Sequence, residues 1–485
     1  MNKLVVIFFL SLCCYAEAKD KPDILLFIAD DLGYLDTEIT GSPDAVTPHL
    51  MQFVTQGMVF ERAYVNSPSC APSRAALFTG LRSQRNGVEA NHDITRFDGV
   101  KHILTGFQAF DYEIAAFGKV RHGGEKSRDQ WDHGIERYGS GSVKVEEIAS
   151  FLAQRDDSRP LLLLVGSNSP HVPWPMQSSF DPTKVTLPVK SIDTPKTRIS
   201  WTQYLEGVKT MDGLFGQAKE LFEKHTGNDG IVAFTSDHGG QWPFAKWNLY
   251  EAGTRVPLVI KWRGRIPAGS TNQALVSWID IFPTLTDLAG GKLNGDIDGE
   301  SFVDVLIKGK KQHRDKVFTT HTGDGIGNNA ANSYPMRAVV TERFKYIKNM
   351  HPEFLYTNHL TRNVHIDHNK HWPEWMEQAK SDPKAAAIVR AYVARTAEEL
   401  YDLQQDPNEQ HNLAQDSAYA DILLALRNDL HQLMQESRDR VVVTGSPIKL
   451  VDCWLSGCPL SVTDNPPKKP KGKEAKAAPA TNPTR

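Results

Sequence analysis

Acidic and imidazole side chains follow two separate apolar runs of the sequence. Asp30 and Asp31 come directly after the first run, and Asp237 and His238 end a later one. Ligands bind outside the carboxyl ends of the strands in open parallel sheets, so we expect these side chains to meet. Carboxylate oxygens suit Ca²⁺ or Mg²⁺, and the four residues predict one divalent-cation site. The alternative is that the aspartates only cap the helices that follow them.

A single cysteine lies at a predicted helix start. Pro72 favours a helix that begins near it, because proline is common in the first turn, and Cys70 is then at the N-terminus. Backbone N–H groups and the helix dipole favour an anion at that position. Arg74, one turn further on, can direct its guanidinium to the same anion. The alternative is a thiol of low pKa beside a structural arginine.

The segment that begins at Cys70 reads C-x-P-S-R and continues with a Leu/Thr-Gly stretch to Gly80. This pattern resembles the signature of the type I sulfatases, in which the cysteine is converted to formylglycine before use. Other blocks resemble the family in the same order, between residues 22 and 415: they are Asp30-Asp31, 118–122, 169–173, 235–239, 246–257 and 397–414. Residues 246–250 and 333–337 resemble heparan N-sulfatase (sulfamidase). The Lys119/His122 spacing and Asp237-His238 resemble iduronate 2-sulfatase.

The resemblance implies a mechanism. A hydrated formylglycine at position 70 offers two hydroxyl groups: one attacks sulfur, and the other later expels sulfate by reforming the aldehyde. One Ca²⁺ polarises the sulfate and is held by five residues: Asp30, Asp31, Cys70, Asp237 and His238. Three positive side chains neutralise the sulfate oxygens in the transition state: Arg74, Lys119 and Lys246. His122 acts on the hydrate proton, and His171 holds sulfate or protonates the leaving group.

The sequence departs from the pattern of its relatives at several positions. Many relatives have His or Lys shortly before the Pro-His pair, where this chain has Asn168-Ser169. The sulfamidase pattern has Asn at the position of His238 and Arg at that of Lys246, and lysine keeps the charge but loses the bidentate fork. His92 and Asp93 lie in a loop that resembles the sulfamidase pocket, and they are candidate sugar contacts. A polar surface loop is the alternative for these two residues.

Strand-like apolar runs alternate with amphipathic stretches before about residue 315. Runs at 23–29, 161–165, 231–234 and 257–262 flank predicted helices at 144–154 and 205–224. This alternation predicts an α/β fold with a mostly parallel sheet. The resemblance implies an alkaline-phosphatase-like sandwich, in which helices flank a large mixed, mostly parallel sheet, plus a smaller C-terminal α+β subdomain. We expect the catalytic domain at 19–315 and the subdomain at 316–464, with strands at 336–349 and helices at 383–400 and 421–436.

The two ends of the chain differ from the body. Residues 1–18 contain Lys3, an apolar run from Leu4 to Leu12 and an A-x-A sequence that ends at Ala18, and this pattern predicts a cleaved signal peptide. A buried first strand is the alternative. The run is too short to span a bilayer, and no later run is long enough. Residues 465–485 carry a net charge of +5 without apolar periodicity, which predicts a disordered basic tail.

Composition excludes several classes of protein. The 485 residues include 23% charged and 40% hydrophobic side chains, unlike a collagen, a coiled coil or a disordered chain. The net charge is −3, and because the tail contributes +5 the rest carries −8, which gives no indication of nucleic-acid binding. Of the five cysteines, Cys13 and Cys14 lie in the predicted signal, Cys453 and Cys458 can pair in an oxidising compartment, and Cys70 is left alone.

These features predict an exported sulfatase, periplasmic or secreted, that removes sulfate esters from sugars of an algal polysaccharide or a glycosaminoglycan. Its expected partners are the sulfated substrate and a formylglycine-generating maturation enzyme, with no nucleic acid and no membrane span; the oligomeric state stays open. The same machinery acting on an N-sulfate is one alternative. A phosphatase or phosphodiesterase of the wider superfamily normally has Ser or Thr as nucleophile, so Cys70 argues against it. The remaining alternative is a catalytically inactive binder of sulfated glycans with an unconverted Cys70.

Overall fold

The computed structural model describes three β-sheets and the helices around them. The described residues are 21–91, 96–122, 132–136, 143–293, 295–323, 333–362, 371–443, 447 and 449–450. The β-strands are β1 Ile24–Asp30, β2 Met58–Phe60, β3 Ala63–Tyr64, β4 Glu113–Gly118, β5 His133–Glu136, β6 Leu161–Pro170, β7 Ile231–Ser236, β8 Leu258–Trp262, β9 Ser270–Asn272, β10 Val276–Ser277, β11 Val317–Gly323, β12 Ser333–Val340, β13 Phe344–Asn349 and β14 Glu398–Asp402. The α-helices are α1 Pro48–Val54, α2 Cys70–Thr79, α3 Ser83–Asn86, α4 Leu104–Ala109, α5 Val145–Gln154, α6 Pro195–Thr226, α7 Glu251–Thr254, α8 Ile281–Leu288, α9 Val303–Lys308, α10 His359–Arg362, α11 His371–Gln378, α12 Pro383–Val393 and α13 Ala420–Glu436.

Eight strands form the large sheet, in the order β5-β4-β6-β1-β7-β8-β2-β9. The five strands from β5 to β7 are parallel, β8 is antiparallel to both β7 and β2, and β9 is parallel to β2. Strands β11 to β14 form a separate antiparallel sheet in sequence order. The predicted fold class is therefore confirmed. Strands β3 and β10 form a small parallel sheet of their own, and the C-terminal sheet begins at β11. The domain boundaries at 315 and 464 stay predictions.

Both faces of β1 are covered, because its apolar residues form a continuous run instead of alternating with polar ones. Ile24 and Leu26 point into a core formed with α2, α4, α8 and α9. Leu25 and Phe27 point into a second core on the opposite face, formed with α1, α5 and α6. Phe215 of α6 packs edge-on against Phe27, with ring centroids 5.2 Å apart. The sheet is the middle layer of a sandwich, and its strand ends are free to carry a site.

Two helix boundaries differ from those predicted. Helix α6 begins well before residue 205, because Thr194 Oγ1 accepts the N–H of Thr197 at 3.2 Å and Pro195 occupies the first turn. The helix expected over 383–400 ends at Val393, and Leu400 lies instead in β14, opposite β13. Within the described residues, no helix combines the length and the apolar composition needed to cross a membrane.

A buried ion cluster joins the C-terminal sheet to the large domain. Lys345 of β13 has its Nζ 2.7 Å from Glu251 Oε1 of α7 and 3.1 Å from Glu409 Oε1. The N–H of Glu251 donates to Glu409 Oε2 at 2.7 Å, and the hydroxyl of Tyr64 donates to Glu251 Oε2 at 3.0 Å. Burial opposes a charge on Glu251, but Lys345 and Arg255 outweigh it and lower the pKa of Glu251. Burial raises the pKa of Glu409 to about 7, against the attraction of Lys345.

We predict that Glu409 makes the stability of the protein depend on pH. Its folded-state pKa of about 7 lies above the ordinary 4.5, so its contribution to the free energy of unfolding is present below pH 4.5 and lost as the pH rises through 7. Glu409→Gln keeps the polar contacts without the charge. The free energy of unfolding of the Glu409→Gln protein minus that of wild type should increase by roughly 2–3 kcal/mol between about pH 5 and about pH 8.

Urea unfolding across this pH range measures the gain. Glu220→Gln is the matched control, because Glu220 is exposed. Equal pH dependence in Glu409→Gln and wild type would contradict the assignment.

Candidate active site and metal centre

Four adjacent strands bring the candidate residues to one edge of the large sheet. The strands β4, β6, β1 and β7 are neighbours in this order and run parallel. Each of them ends at, or directly before, one of the predicted site residues: Lys119 after β4, His171 after β6, Asp30 and Asp31 at β1, and Asp237 and His238 after β7. The structure therefore places side chains that are distant in sequence around one point.

Hydrogen bonds join the ends of β1 and β7. The N–H of Asp31 donates to Asp237 Oδ1 at 3.1 Å, and the N–H of Leu32 donates to Ser236 Oγ at 3.0 Å. Asp31 has a φ of 68°, a left-handed conformation that aspartate adopts more readily than most residues. The side chains of Asp30, Asp31, Asp237 and His238 are completely buried. Burial opposes a negative charge on Asp30 and Asp31, and nearby lysines, Lys119 at Asp30 and Lys246 at Asp31, favour it.

Cys70 is the first residue of α2 and lies among these groups. Its Sγ is 3.2 Å from His238 Nε2, 3.8 Å from Asp30 Oδ1 and 3.9 Å from Asp31 Oδ1. A hydrogen bond fixes the first turn of α2 at this point, because Ser73 Oγ donates to the carbonyl of Asp237 at 2.6 Å. The structure thus places Cys70 within reach of the predicted metal ligands, at a helix N-terminus.

The ligand atoms lie close enough together to hold one cation. Three overlapping groups each fall within 4.8 Å: Asp31, Cys70 and His238; Asp30, Cys70 and Asp237; and Asp30, Asp31 and His171. Burial opposes a charge on His238, yet Asp237, the Cys70 thiol and Asp31 raise its pKa to about 9. The carboxylates therefore create a strongly negative potential that favours a positive charge. An oxygen-rich set of this kind fits a hard cation such as Ca²⁺.

Arg74 holds the carboxylates that line this centre. Its Nε donates to Asp237 Oδ2 at 2.8 Å, and its Nη2 donates to Asp30 Oδ1 at 3.2 Å. Its Nη1 donates to the carbonyl oxygens of Lys119 and, at 3.0 Å, Val120. These contacts favour a role in fixing the ligands. Direct neutralisation of sulfate by Arg74 stays a prediction.

Two buried lysines add positive charge at the same point. Lys119 Nζ lies 2.5 Å from Asp30 Oδ2 and 3.6 Å from Cys70 Sγ, and Lys246 Nζ lies 2.8 and 2.7 Å from the two oxygens of Asp31. Burial opposes both charges, but Asp30 raises the pKa of Lys119 and Asp31 raises that of Lys246. Gly118 before Lys119 has a φ of 77°, and a Cβ there would lie 2.2 Å from the carbonyl of Gly166. The close approach of β4 to β6 therefore requires glycine.

Two other predicted histidines are described: His171 lies at the rim of the centre, and His122 is the last residue before an undescribed segment. His171 is half-buried, and its Nδ1 is 2.5 Å from the carbonyl of Val172, so that Nδ1 carries the proton and Nε2 is left for other contacts. Burial, with Lys246 and Lys119, holds the pKa of His171 well below 6.5. His122 is also half-buried, two residues after a carbonyl that binds Arg74. His92 and Asp93 lie outside the described residues.

Sequence patterns did not indicate two residues near the centre. Asn91 Oδ1 accepts the N–H of Ala71 at 3.0 Å, beside Cys70. His321 of β11 is buried, and burial, with the charges of Arg337, Arg395 and His238, lowers its pKa to about 3. Its Nδ1 has no hydrogen-bond partner among the described residues. The sequence offered one signal for Asn91, because it directly precedes the predicted pocket residues His92 and Asp93. It offered none for His321, since no sequence pattern places β11 beside the site.

Comparison with known families identifies the class of protein. The sulfatase family model matches residues 22–291, more than half of the chain. The model of the C-terminal part of N-sulphoglucosamine sulphohydrolase matches residues 238–388. The chain therefore belongs to the sulfatase family, and it is a sulfuric ester hydrolase. This confirms the resemblance found in the sequence.

Individual relatives agree with this assignment. An ulvan-active sulfatase of Formosa agariphila is 28% identical over 432 residues, which cover 87% of this chain and 81% of the relative. Human N-sulphoglucosamine sulphohydrolase is 25% identical over 481 residues, with coverage of 88% and 92%. Among solved structures, BT4656 in complex with its substrate D-glucosamine-2-N,6-O-disulfate has a TM-score of 0.66 at 20% identity, with coverage of 87% and 99%. The last likeness shows a shared fold.

We predict that Ca²⁺ stabilises the protein through this centre. At a concentration about 100 times Kd, a ligand of the folded state adds ~2.7 kcal/mol. The unfolding entropy of a 485-residue chain is roughly 1 kcal/mol/K, so Ca²⁺ added to chelator-treated protein should raise Tm by about 3 °C. Asp237→Asn should abolish this rise, because it removes one buried ligand charge. Differential scanning calorimetry measures both, with Asp421→Asn on the exposed face of α13 as the control. A calcium-dependent rise that survives in Asp237→Asn would place the ion elsewhere.

Proposed function

We propose that this chain is an exported sulfatase that hydrolyses sulfate esters on sugars of a sulfated polysaccharide, with formylglycine formed from Cys70 and one Ca²⁺. The observation that carries the proposal is the position of Cys70 Sγ, at a helix N-terminus and within 3.9 Å of His238, Asp30, Asp31 and Lys119. The relatives named for ulvan and for N-sulphoglucosamine support a sulfated saccharide as substrate. Export rests on the sequence of residues 1–18, which lie outside the described residues.

The chemistry of a sulfate ester explains why such a centre is needed. The ester is an anion and its alkoxide is a poor leaving group, so the site must neutralise charge during attack. Ca²⁺, held by Asp30, Asp31, Asp237 and His238, supplies Lewis-acid polarisation when it is bound. A formylglycine hydrate at position 70 supplies an oxygen nucleophile and a route for sulfate release.

The side chains of this chain divide the remaining work. Lys119 lies next to position 70, so a sulfate group attacked there meets its ammonium group. Lys246 contributes a second fixed ammonium group, and Arg74 keeps Asp30 and Asp237 in place. His171, with Nδ1 bound to the backbone, presents Nε2 to hold sulfate or to serve the leaving group. His122 is assigned to the hydrate proton.

We predict that the active protein has lost the thiol of Cys70. Tryptic peptide mass spectrometry should show residue 70 with one oxygen gained and one sulfur and two hydrogens lost. Cys70→Ala should lower kcat at least ~10⁴-fold, because it removes the nucleophile. Its Tm should change little, which calorimetry checks. Turnover by a protein with unmodified Cys70 would refute the mechanism, and binding of sulfated glycans without turnover by a protein whose Cys70 stays unconverted would favour the inactive binder.

The type of sulfate group distinguishes the two leading substrate hypotheses. The match of residues 238–388 to the C-terminal part of N-sulphoglucosamine sulphohydrolase favours an N-sulfate. The centre itself favours an O-sulfate, because His238 and Lys246 occupy the positions that the sulfamidase pattern fills with Asn and Arg. Lysine offers a point charge where arginine offers a planar fork. We give precedence to the O-sulfate, since these two residues lie in the reaction centre.

We predict at least about tenfold higher kcat/KM for an O-sulfated sugar than for N-sulfated glucosamine. The test is a desulfation screen with O- and N-sulfated glucosamine, galactose, uronic acid and ulvan oligosaccharides, in which released sulfate is measured by ion chromatography. Cys70→Ala is the blank for each substrate. Faster release from the N-sulfate would reverse the order of the two hypotheses.

A further inference from the structure

A groove of about 560 Å³ lies where α3 approaches the chain that follows α13. We call it the α3–α13 groove; its walls include Gln84, Arg85, Phe97, Arg438 and Arg440. The reaction centre uses none of these side chains. Their chemistry therefore requires a separate explanation.

The lining of the groove carries a net positive charge, with three arginines (Arg85, Arg438 and Arg440) against two carboxylates (Asp296 and Glu436). Arg438 and Arg440 are exposed, and neither forms an ion pair within the described part of the chain. The residue between them, Asp439, is held by Arg337, whose Nη2 donates to Asp439 Oδ1 at 2.9 Å. The backbone is thus fixed while the two guanidinium groups are available. Arg438 follows α13 in a left-handed conformation, with a φ of 53°. Glycine is the usual residue at such a position, so the backbone conformation does not explain why this residue is an arginine.

The acidic side chains of the groove have other partners. Asp296 lies 2.5 Å from Arg85, which is also 2.8 Å from Asp298. Glu436 accepts a hydrogen bond from Gln432 at 2.9 Å. The paired Arg85 therefore adds little net charge. The Gln432 amide is neutral, so Glu436 keeps its charge, and Arg438 and Arg440 together outweigh it.

Two further side chains fit a sugar. Gln84 is 5% exposed, and neither its Nε2 nor its Oε1 has a hydrogen-bond partner among the described residues. A buried amide without partners destabilises a protein, so this side chain is suited to a ligand that supplies both a donor and an acceptor, as sugar hydroxyls do. Phe97 is 42% exposed, and the Arg440 guanidinium lies 5.6 Å from its centroid. Its ring offers an apolar face to a sugar ring.

The groove lies within reach of the nucleophile. The N–H of Phe97 donates to the carbonyl of Asn86 at 3.0 Å, at the groove. Asn91 contacts Ala71, next to Cys70. Asn91 lies five positions after Asn86, and an extended chain of five steps spans at most about 17 Å. A short oligosaccharide can cover this distance.

We propose that the α3–α13 groove binds a sulfate group on a sugar of the same polysaccharide chain, several units away from the ester that is cleaved. Arg438 and Arg440 bind the sulfate, Gln84 bonds to hydroxyl groups, and Phe97 packs against the ring. This inference rests on the proposed function, because it requires a sulfated polymer as substrate. The groove then selects polymers over single sugars without taking part in the reaction.

The experiment compares substrates of different length on the mature, calcium-loaded enzyme. The probes are a sulfated hexasaccharide, from whichever of ulvan or heparan sulfate wild type desulfates faster, and the sulfated monosaccharide of its cleaved end. Arg438→Ala/Arg440→Ala should raise KM for the hexasaccharide about tenfold and leave kcat and the monosaccharide KM unchanged. Gln84→Leu should also raise the hexasaccharide KM, with Tm unchanged or higher.

Arg263→Ala/Arg265→Ala is the matched control. It removes two exposed arginines with the same spacing, and Arg265 also lies 5.6 Å from an aromatic ring, that of Trp262. These residues follow β8, which is antiparallel to β7, so they lie at the opposite edge of the sheet from the reaction centre. The control should leave both KM values unchanged.

The outcomes separate this inference from the proposed function. An unchanged hexasaccharide KM in the groove variant, an equal rise for both substrates, or the same rise in the control would overturn the groove. If wild type desulfates no probe, the proposed function fails. The groove is then tested by calorimetry, which measures the affinity of the Cys70→Ala protein for the heparan sulfate hexasaccharide. About tenfold weaker binding by the protein that also carries Arg438→Ala/Arg440→Ala supports the groove. Equal affinity of the two proteins, or no binding by either, rejects it.

Discussion

The structure depends on one electrostatic constraint, the burial of three carboxylates at a single point. Asp30, Asp31 and Asp237 are fully shielded from water, where isolated charges would be strongly unfavourable. Three cationic side chains compensate them: Arg74, Lys119 and Lys246. The two sets have equal charge, so the net positive charge of the centre comes from a proton on His238, whose pKa is about 9, or from a divalent cation bound in place of that proton. Either charge would attract a sulfate anion.

The sheet satisfies this constraint by topology. Strands β4, β6, β1 and β7 lie side by side and parallel, so residues that follow their ends converge although Asp30 and Lys246 are far apart in sequence. Helix α2 adds position 70 and Arg74 from one turn of the same helix. Each contribution comes from a strand or helix end with a buried core beneath it, and such rigid supports suit a site that must hold its charges in fixed positions.

The sequence indicated which residues come together at the centre, but it did not indicate which of their side chains contact one another. Residues at the ends of apolar runs and at a proline-marked helix start could be found, because strand ends and helix caps leave local patterns. The contacts of Arg74 with Asp30 and Asp237, which lie 44 and 163 residues away in the chain, were not predicted, and its role toward sulfate stays a prediction. His321 and the cluster of Lys345, Glu251 and Glu409 were not predicted either. Their environment arises only when the C-terminal sheet packs against the large one.

The burial of Cys70 also bears on the order of folding and of the proposed modification of this residue. Cys70 is 1% exposed, and the groups around its sulfur include Asp30 and His238, which lie 40 and 168 residues away. The maturation enzyme that the proposed function requires could not reach the sulfur once these distant segments had closed over it. Contacts of such sequence separation form slowly, and this leaves an interval in which the nascent segment is still accessible. Under the proposed conversion of Cys70 to formylglycine, a chain that folded before modification would keep an inaccessible thiol, and the active fraction of the protein would be decided during its synthesis.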